Sequence, residues 1–395
     1  MDVRLFLTRR SGVVALTLAC ATTIACGGGE MADPAAEVET AAPPADAGNS
    51  HWVDGNLPNP TGEVILNWAP LPEGQEWGST AGIDVGPDGH IWAYDRCGGL
   101  ALAGGCEENP ERNPVYKFNK DTGEIMASFG AGLFVLPHGL HVDDDGNVWV
   151  TDSQGNESGT KGHQVIKFSP EGQELLRLGT AGQPGSGPGQ LNEPCDVITA
   201  SNGDIFVSDG HSGQGLNPPE GATGRILKYD SEGNFIKEWG EIGFRPGQFR
   251  TPHAMEIDSQ GRLYVADRGN HRIQVFDLDG NAIDGNPNAD GVQPLILMAY
   301  SRISGLFITD DDTLYAIDSE STPGNHPGWM TGVRIGPAGE DQLTGFVPPH
   351  AHQTRVLQGV AGEGVAVDAD GNIYAAEGPG SRPTAGGGIT KYVAN

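Results

Sequence analysis

From about residue 80 onward, apolar and polar residues alternate at period two in short runs, and the runs come in pairs. Six such pairs follow one another: GIDVGPDGHIWAYDR (Gly82 to Arg96), HGLHVDDDGNVWVTDS (His138 to Ser153), CDVITASNGDIFVSDG (Cys195 to Gly210), HAMEIDSQGRLYVADR (His253 to Arg268), SGLFITDDDTLYAIDS (Ser304 to Ser319) and EGVAVDADGNIYAAEG (Glu363 to Gly378). The breaks are mostly Asp-Gly, Asn-Gly or Gln-Gly, the residues that tight hairpins require, so each pair reads as strand, turn, strand. A third strand follows in PVYKFNK, HQVIKFSP, GRILKYDS, HRIQVFDL and GITKYVAN. A self-similar unit of roughly fifty residues, all strand and turn, predicts an all-β, six-bladed β-propeller. The last unit stops at its third strand, and GEVILNWAPL stands before the first unit. Pairing these two ends closes the ring and removes an exposed edge.

The propeller is assigned to residues 51–395. Ahead of it, Arg4, Arg9 and Arg10 precede the short apolar run Ser11 to Ala25, which has the layout of an export signal over residues 1–26. Thr23-Ile24-Ala25-Cys26 followed by three glycines resembles a bacterial lipobox, with Cys26 as the lipidated residue and Cys20 as the second candidate. Arg9-Arg10 also fits twin-arginine export. Residues 27–50 are Ala, Pro and acidic residues with almost nothing large and apolar, which predicts a disordered tether. The expectation is an exported protein, periplasmic or on the cell surface. It meets the membrane only through its lipid anchor, because no later segment is long and apolar enough to cross.

Charge changes the picture by exclusion. Asp and Glu number 52 against 23 Lys and Arg, which argues against nucleic acid and anionic headgroups as partners. A small-molecule or peptide substrate and a monomer are expected. Of the five cysteines, Cys97 and Cys106 flank a small-residue loop in a chain bound for an oxidising compartment, so a local disulfide is predicted between them.

The first strand of each propeller blade lines the central channel, and alternation leaves one position per blade pointing inward. Aligned on the hairpin turns, that position holds Ala81, His138, Cys195, His253, Ser304 and Glu363. His138, His253 and Glu363 come from alternate blades, so they converge on the axis at one height. Two histidines and a carboxylate that leave a coordination position open suit catalytic zinc, and the same trio suits ferrous iron. The plainer reading is that these histidines bond water or carbonyls in the channel. Cys195 reads as a small buried filler.

Over essentially the whole mature part, the chain resembles the NHL-repeat family. LPHGLHVDDDGNVWVTD (Leu136 to Asp152), EPCDVITASNGDIFVSDG (Glu193 to Gly210) and FRTPHAMEIDSQGRLYVADRGNHRIQVF (Phe249 to Phe276) are similar to the peptidyl-α-hydroxyglycine α-amidating lyases. The resemblance implies a six-bladed propeller with a central zinc held by three histidines, cleaving a C–N bond to give a peptide amide and glyoxylate. It further implies that His138 and His253 are zinc ligands and that Arg96 and Arg268 lie in the active site, where guanidinium groups suit a substrate carboxylate. The chain departs from the family at four places, one being that the family's paired cysteines near the third blade are missing. Glu363 stands where the third histidine is expected, and His211 where the family has a tyrosine, leaving His211 as the expected base. The family's structural calcium takes an acidic ligand at the position of Gly364, so calcium loses that ligand here, although Leu140 still offers a carbonyl.

Asp152, Asp209, Asp267 and Asp318 end second strands, with Glu377 in the matching place. Their recurrence in most blades makes them structural, bonding turn amides. Asp143-Asp144-Asp145-Gly146 reads as a hairpin turn because the rest of a calcium loop is missing. His350 and His352 are expected in a solvated loop. Two functions remain in view: a metal-dependent C–N lyase, and a non-enzymatic propeller that binds partners through loops 97–113 and 211–223. Oxygenase-like or lactonase-like chemistry at the same trio is a third possibility.

Overall fold

The computed structural model describes residues 56–98, 105–321, 326–350, 362–378 and 388–395. The signal over 1–26, the tether over 27–50 and His352 lie outside these residues. Among the described residues the chain forms six four-stranded antiparallel sheets. In five of them the strands follow sequence order, and the sixth joins the strand Thr61–Ile65 to Gly388–Ala394, Ile373–Glu377 and Gly364–Val367. This is the predicted propeller with the predicted closure. The N-terminal strand pairs antiparallel with the last strand, Thr61 opposite Ala394 and Ile65 opposite Lys391.

The inner strands of blades 1 to 6 are Thr80–Val85, Pro137–Val142, Pro194–Thr199, Pro252–Ile257, Ile303–Ile308 and Gly364–Val367. Six apolar clusters of buried residues hold the ring, one between each pair of neighbouring blades; Trp92, Tyr94, Phe134 and Leu140, for example, join blades 1 and 2. The lysine of the third-strand motif has a physical reason. Lys117, Lys167, Lys228 and Lys391 stand directly across from Trp92, Trp149, Phe206 and Tyr374 on the second strand. Each ammonium lies 4.8 to 5.5 Å from its ring centroid, within cation–π range.

The aspartates that end the second strands act as clamps on the chain that enters or leaves each blade. Asp152 accepts the amides of Val135 and Leu136, at 3.0 and 2.8 Å, and Asp209 those of Asn192 and Glu193, at 2.9 and 2.7 Å. Asp318 does the same for Glu320 and Ser321. Asp95 joins the set by accepting the Gly78 amide at 2.7 Å. Asp143 likewise folds back on its own turn, taking the Asn147 amide at 2.8 Å and the Trp149 indole at 3.0 Å.

Near the axis the inner strands approach so closely that side chains are excluded. A methyl group at Gly139 would lie 2.6 Å from the Cys195 carbonyl oxygen, and one at Gly364 would lie 2.6 Å from that of Ala81. The expected disulfide is present between Cys97 and Cys106. Closing so short a loop restricts the unfolded chain only moderately. Cys97→Ser is therefore expected to lower unfolding stability by about 2–3 kcal/mol, read from urea unfolding with the wild type under reductant as control.

Candidate metal centre

All six inward positions named by the sequence pattern line one narrow axial channel: Ala81, His138, Cys195, His253, Ser304 and Glu363. Two of them are histidines with one ring nitrogen committed and the other free of protein partners. His138 donates through Nδ1 to the Cys195 carbonyl at 2.8 Å, and His253 through Nδ1 to the Ser304 carbonyl at 2.6 Å. Each bond spans to the next blade, and each fixes the ring so that Nε2 carries the lone pair. Both Nε2 atoms are buried without any hydrogen-bond partner. Buried polar atoms are nearly always satisfied, so two orphans facing one channel fit a bound ion. The ring centroids are 4.6 Å apart. Burial, reinforced by nearby arginines, pushes both imidazoles well below their ordinary pKa and keeps them neutral, the state a metal requires.

His211 joins them from outside the repeat. It opens a 3-10 turn, His211–Gln214, that follows the second strand of blade 3. Its ring centroid is 5.0 Å from that of His138 and 5.6 Å from that of His253. One ring nitrogen from each of the three histidines falls within a 4.8 Å set. Burial and the neighbouring His138 and Arg268 push His211 well below its usual pKa as well.

Glu363 also reaches the channel, but its Oε2 is taken by Arg96 Nη2 at 2.9 Å. Burial alone raises the carboxyl, yet Arg96, Arg268 and His211 outweigh it and hold Glu363 below its ordinary range. The two arginines expected at the site both border it. Arg96 is braced by the Pro137 carbonyl at 2.9 Å, and Arg268 by Gln214 Oε1 at 2.9 Å. Arg268 Nη1 further approaches Glu320 at 3.5 Å, while Nη2 is 3.4 Å from His211 Nε2.

Glu320 and Gln214 escaped the sequence reading. Glu320 is buried, paired with Arg302 and hydrogen-bonded by Gln214 Nε2 at 3.1 Å, so it helps to hold Arg268 in place. A signal for it exists: His211 and Glu320 both stand two residues past the aspartate that ends a second strand. Cys195 is buried, and burial pushes its thiol well above the usual range; the residue serves through its carbonyl. His350 differs from the solvated loop expected for it. Its side chain packs on Glu377, with Nε2 at 3.0 Å, because a buried carboxylate at the end of the second strand needs a donor. Burial lowers His350, but the Glu377 bond more than offsets that and raises its pKa.

The NHL repeat family matches residues 249–276. The chain is 31% identical over 342 residues to peptidyl-glycine alpha-amidating monooxygenase B of Xenopus laevis, covering 79% of this chain and 35% of that protein. It is 32% identical over 275 residues to peptidyl-alpha-hydroxyglycine alpha-amidating lyase 1 of Drosophila melanogaster, covering 65% of this chain and 45% of the relative. The chain thus spans less than half the length of either relative. Among solved structures, a gluconolactonase from Xanthomonas campestris shares the fold, with a TM-score of 0.52 and 16% identity over 91% of this chain and 99% of that one. The chain is a six-bladed β-propeller with an NHL repeat, and over much of its length it resembles the peptidyl-α-hydroxyglycine α-amidating lyases.

Proposed function

We propose that the chain is a metal-dependent carbon–nitrogen lyase acting on a small-molecule or peptide substrate that carries a hydroxylated amide and a carboxylate. The observation behind this reading is the pair of buried, unpartnered Nε2 atoms of His138 and His253, flanked by Arg96 and Arg268. The name of the Drosophila relative supports lyase chemistry of this kind. A divalent ion held by the histidines, zinc in this proposal, would supply Lewis acidity to a substrate hydroxyl. The chain's own groups would do the rest. Arg268 and Arg96 present guanidinium donors suited to a carboxylate, and their braces from Gln214 and Pro137 fix the direction of those donors. Arg96, Arg268 and both histidines are buried, which strengthens their electrostatic contacts.

The reaction balances without water or a redox partner. The hydroxyl loses its proton, its electron pair becomes the new C=O, the C–N bond breaks, and the amide nitrogen takes up a proton. A peptidyl-α-hydroxyglycine would give a peptide amide and glyoxylate in equal amounts. The Cys97–Cys106 disulfide supports an exported setting for this activity.

The test is to incubate the full-length protein with a peptidyl-α-hydroxyglycine and to quantify both products, before and after chelation and zinc return. Equimolar amide and glyoxylate, lost on chelation and regained with zinc, is the expected result. Restoration by iron and not by zinc would keep the lyase reading and overturn zinc as its metal. No product and no bound metal would leave a ligand-binding propeller as the better account.

A further inference from the structure

Resting on the metal-dependent reading above, we infer that the third protein ligand is His211, and that Glu363 stays off the metal. The two side chains compete for one role, and the structure treats them differently. Glu363 shares the inward register of His138 and His253, but its Oε2 is engaged by Arg96 at 2.9 Å across a buried pair. Arg96 is itself held by the Pro137 carbonyl, so the pair is anchored on the wall of the channel. The close set of ligand atoms holds the three histidines and not Glu363, so Glu363 would have to move to ligate, and a move that took Oε2 from Arg96 would break the ion pair. The guanidinium left behind would then lack its charge partner, which costs far more than breaking an exposed pair.

His211 carries no such commitment. Among the described residues its one side-chain hydrogen bond is with Arg268 Nη2, 3.4 Å from Nε2, at the long limit of such a bond. Guanidinium can only donate, so the contact is compatible with a neutral ring. The backbone carbonyl of His211 accepts the Thr251 hydroxyl at 3.1 Å, and the next amide, Ser212, donates to Glu193 at 2.6 Å. The start of the turn is therefore tied to blades 3 and 4, which also carry the flanking channel wall. The ligand atoms of His138, His211 and His253 lie within 4.8 Å of one another, a set that a small shift of the rings would close on a tetrahedral zinc. A histidine from a loop thus takes the place that the inner-strand register offers to a carboxylate. The ion would carry three neutral ligands and keep its full positive charge.

The experiment measures zinc per chain and zinc affinity by chelator competition on purified full-length protein, for wild type, His211→Ala and Glu363→Gln. X-ray absorption at the zinc edge counts imidazoles in the wild type. Thermal melts confirm that each variant is folded. Loss of an outer-shell partner weakens metal binding by about 10- to 100-fold, so removing a true ligand should exceed that. The expected result is a loss beyond this range in His211→Ala, near wild-type affinity in Glu363→Gln, and three imidazoles per zinc. Zinc retained by His211→Ala but lost by Glu363→Gln, with two imidazoles, would overturn the inference and leave the metal-dependent reading intact. Loss in both variants would overturn the exclusion of Glu363. A wild type that binds no zinc would overturn the reading and the inference together.

Discussion

His138→Ala should fail to hold zinc under the proposed function and, with it, lose more than about a hundredfold in the proposed glyoxylate release, the upper end of what removal of an outer-shell partner costs. The reason lies in the ring's two nitrogens. Nδ1 is spent on the Cys195 carbonyl, which leaves Nε2 as a fixed, neutral lone pair with no partner in the protein. Alanine removes the donor, and the tight inner strands leave no neighbour room to replace it. His141 provides the control. It lies three residues further along the same strand, but its ring is bonded to Thr199 at 2.9 Å and approaches Asp84 at 3.3 Å. His141→Ala should keep its metal. Metal analysis and initial rates on the two variants decide the matter. A His138→Ala protein with full zinc and an unchanged rate would sink the site.

The second large effect is on stability. Asp267 is fully buried and accepts the Arg250 amide at 2.7 Å, Asn270 Nδ2 at 2.7 Å and Arg272 Nε at 2.8 Å. Burial raises its pKa, and Arg272 works against that rise. Asp267→Ala strands a buried arginine without its counter-charge and frees the segment that enters blade 4. A loss of about 3–5 kcal/mol is expected, as for other broken buried pairs. Asp279, an exposed partner of Lys228, should cost less than about 1 kcal/mol when changed to Ala. Chemical unfolding of the two variants gives the comparison. Equal, small losses would mean that the second-strand aspartates are not clamps.

The sequence showed much of this because the fold is a repeat. Turn residues and period-two alternation placed the inner strands, and register then put His138, His253 and Glu363 in one channel. The same logic marked the aspartates as structural. The third strand of blade 5, Gly332–Pro337, escaped because it ends in Gly336-Pro337 rather than the lysine–aromatic pattern. Which partners those inward side chains take was beyond the pattern. The ion pair that turns Glu363 toward Arg96 joins residues at opposite ends of the propeller sequence, and no local period encodes it. His211 sits in a loop, where alternation says nothing about which way a ring points.

The closure of the ring has a consequence for biosynthesis. The strand Thr61–Ile65 is made before every other strand of the propeller, while its partner, Gly388–Ala394, is made last. Throughout translation and any passage across a membrane, this segment has backbone donors and acceptors and no native strand to take them. It is a standing invitation to pair with a foreign chain. Its composition limits that hazard. Pro58 and Pro60 precede it, it is only five residues long, and Glu63 at its centre is exposed. Charges and prolines of this kind discourage growth of a cross-strand aggregate while leaving the late native pairing intact. A Glu63→Val chain would therefore differ from the natural one less in its finished form than in how much of it survives to be finished.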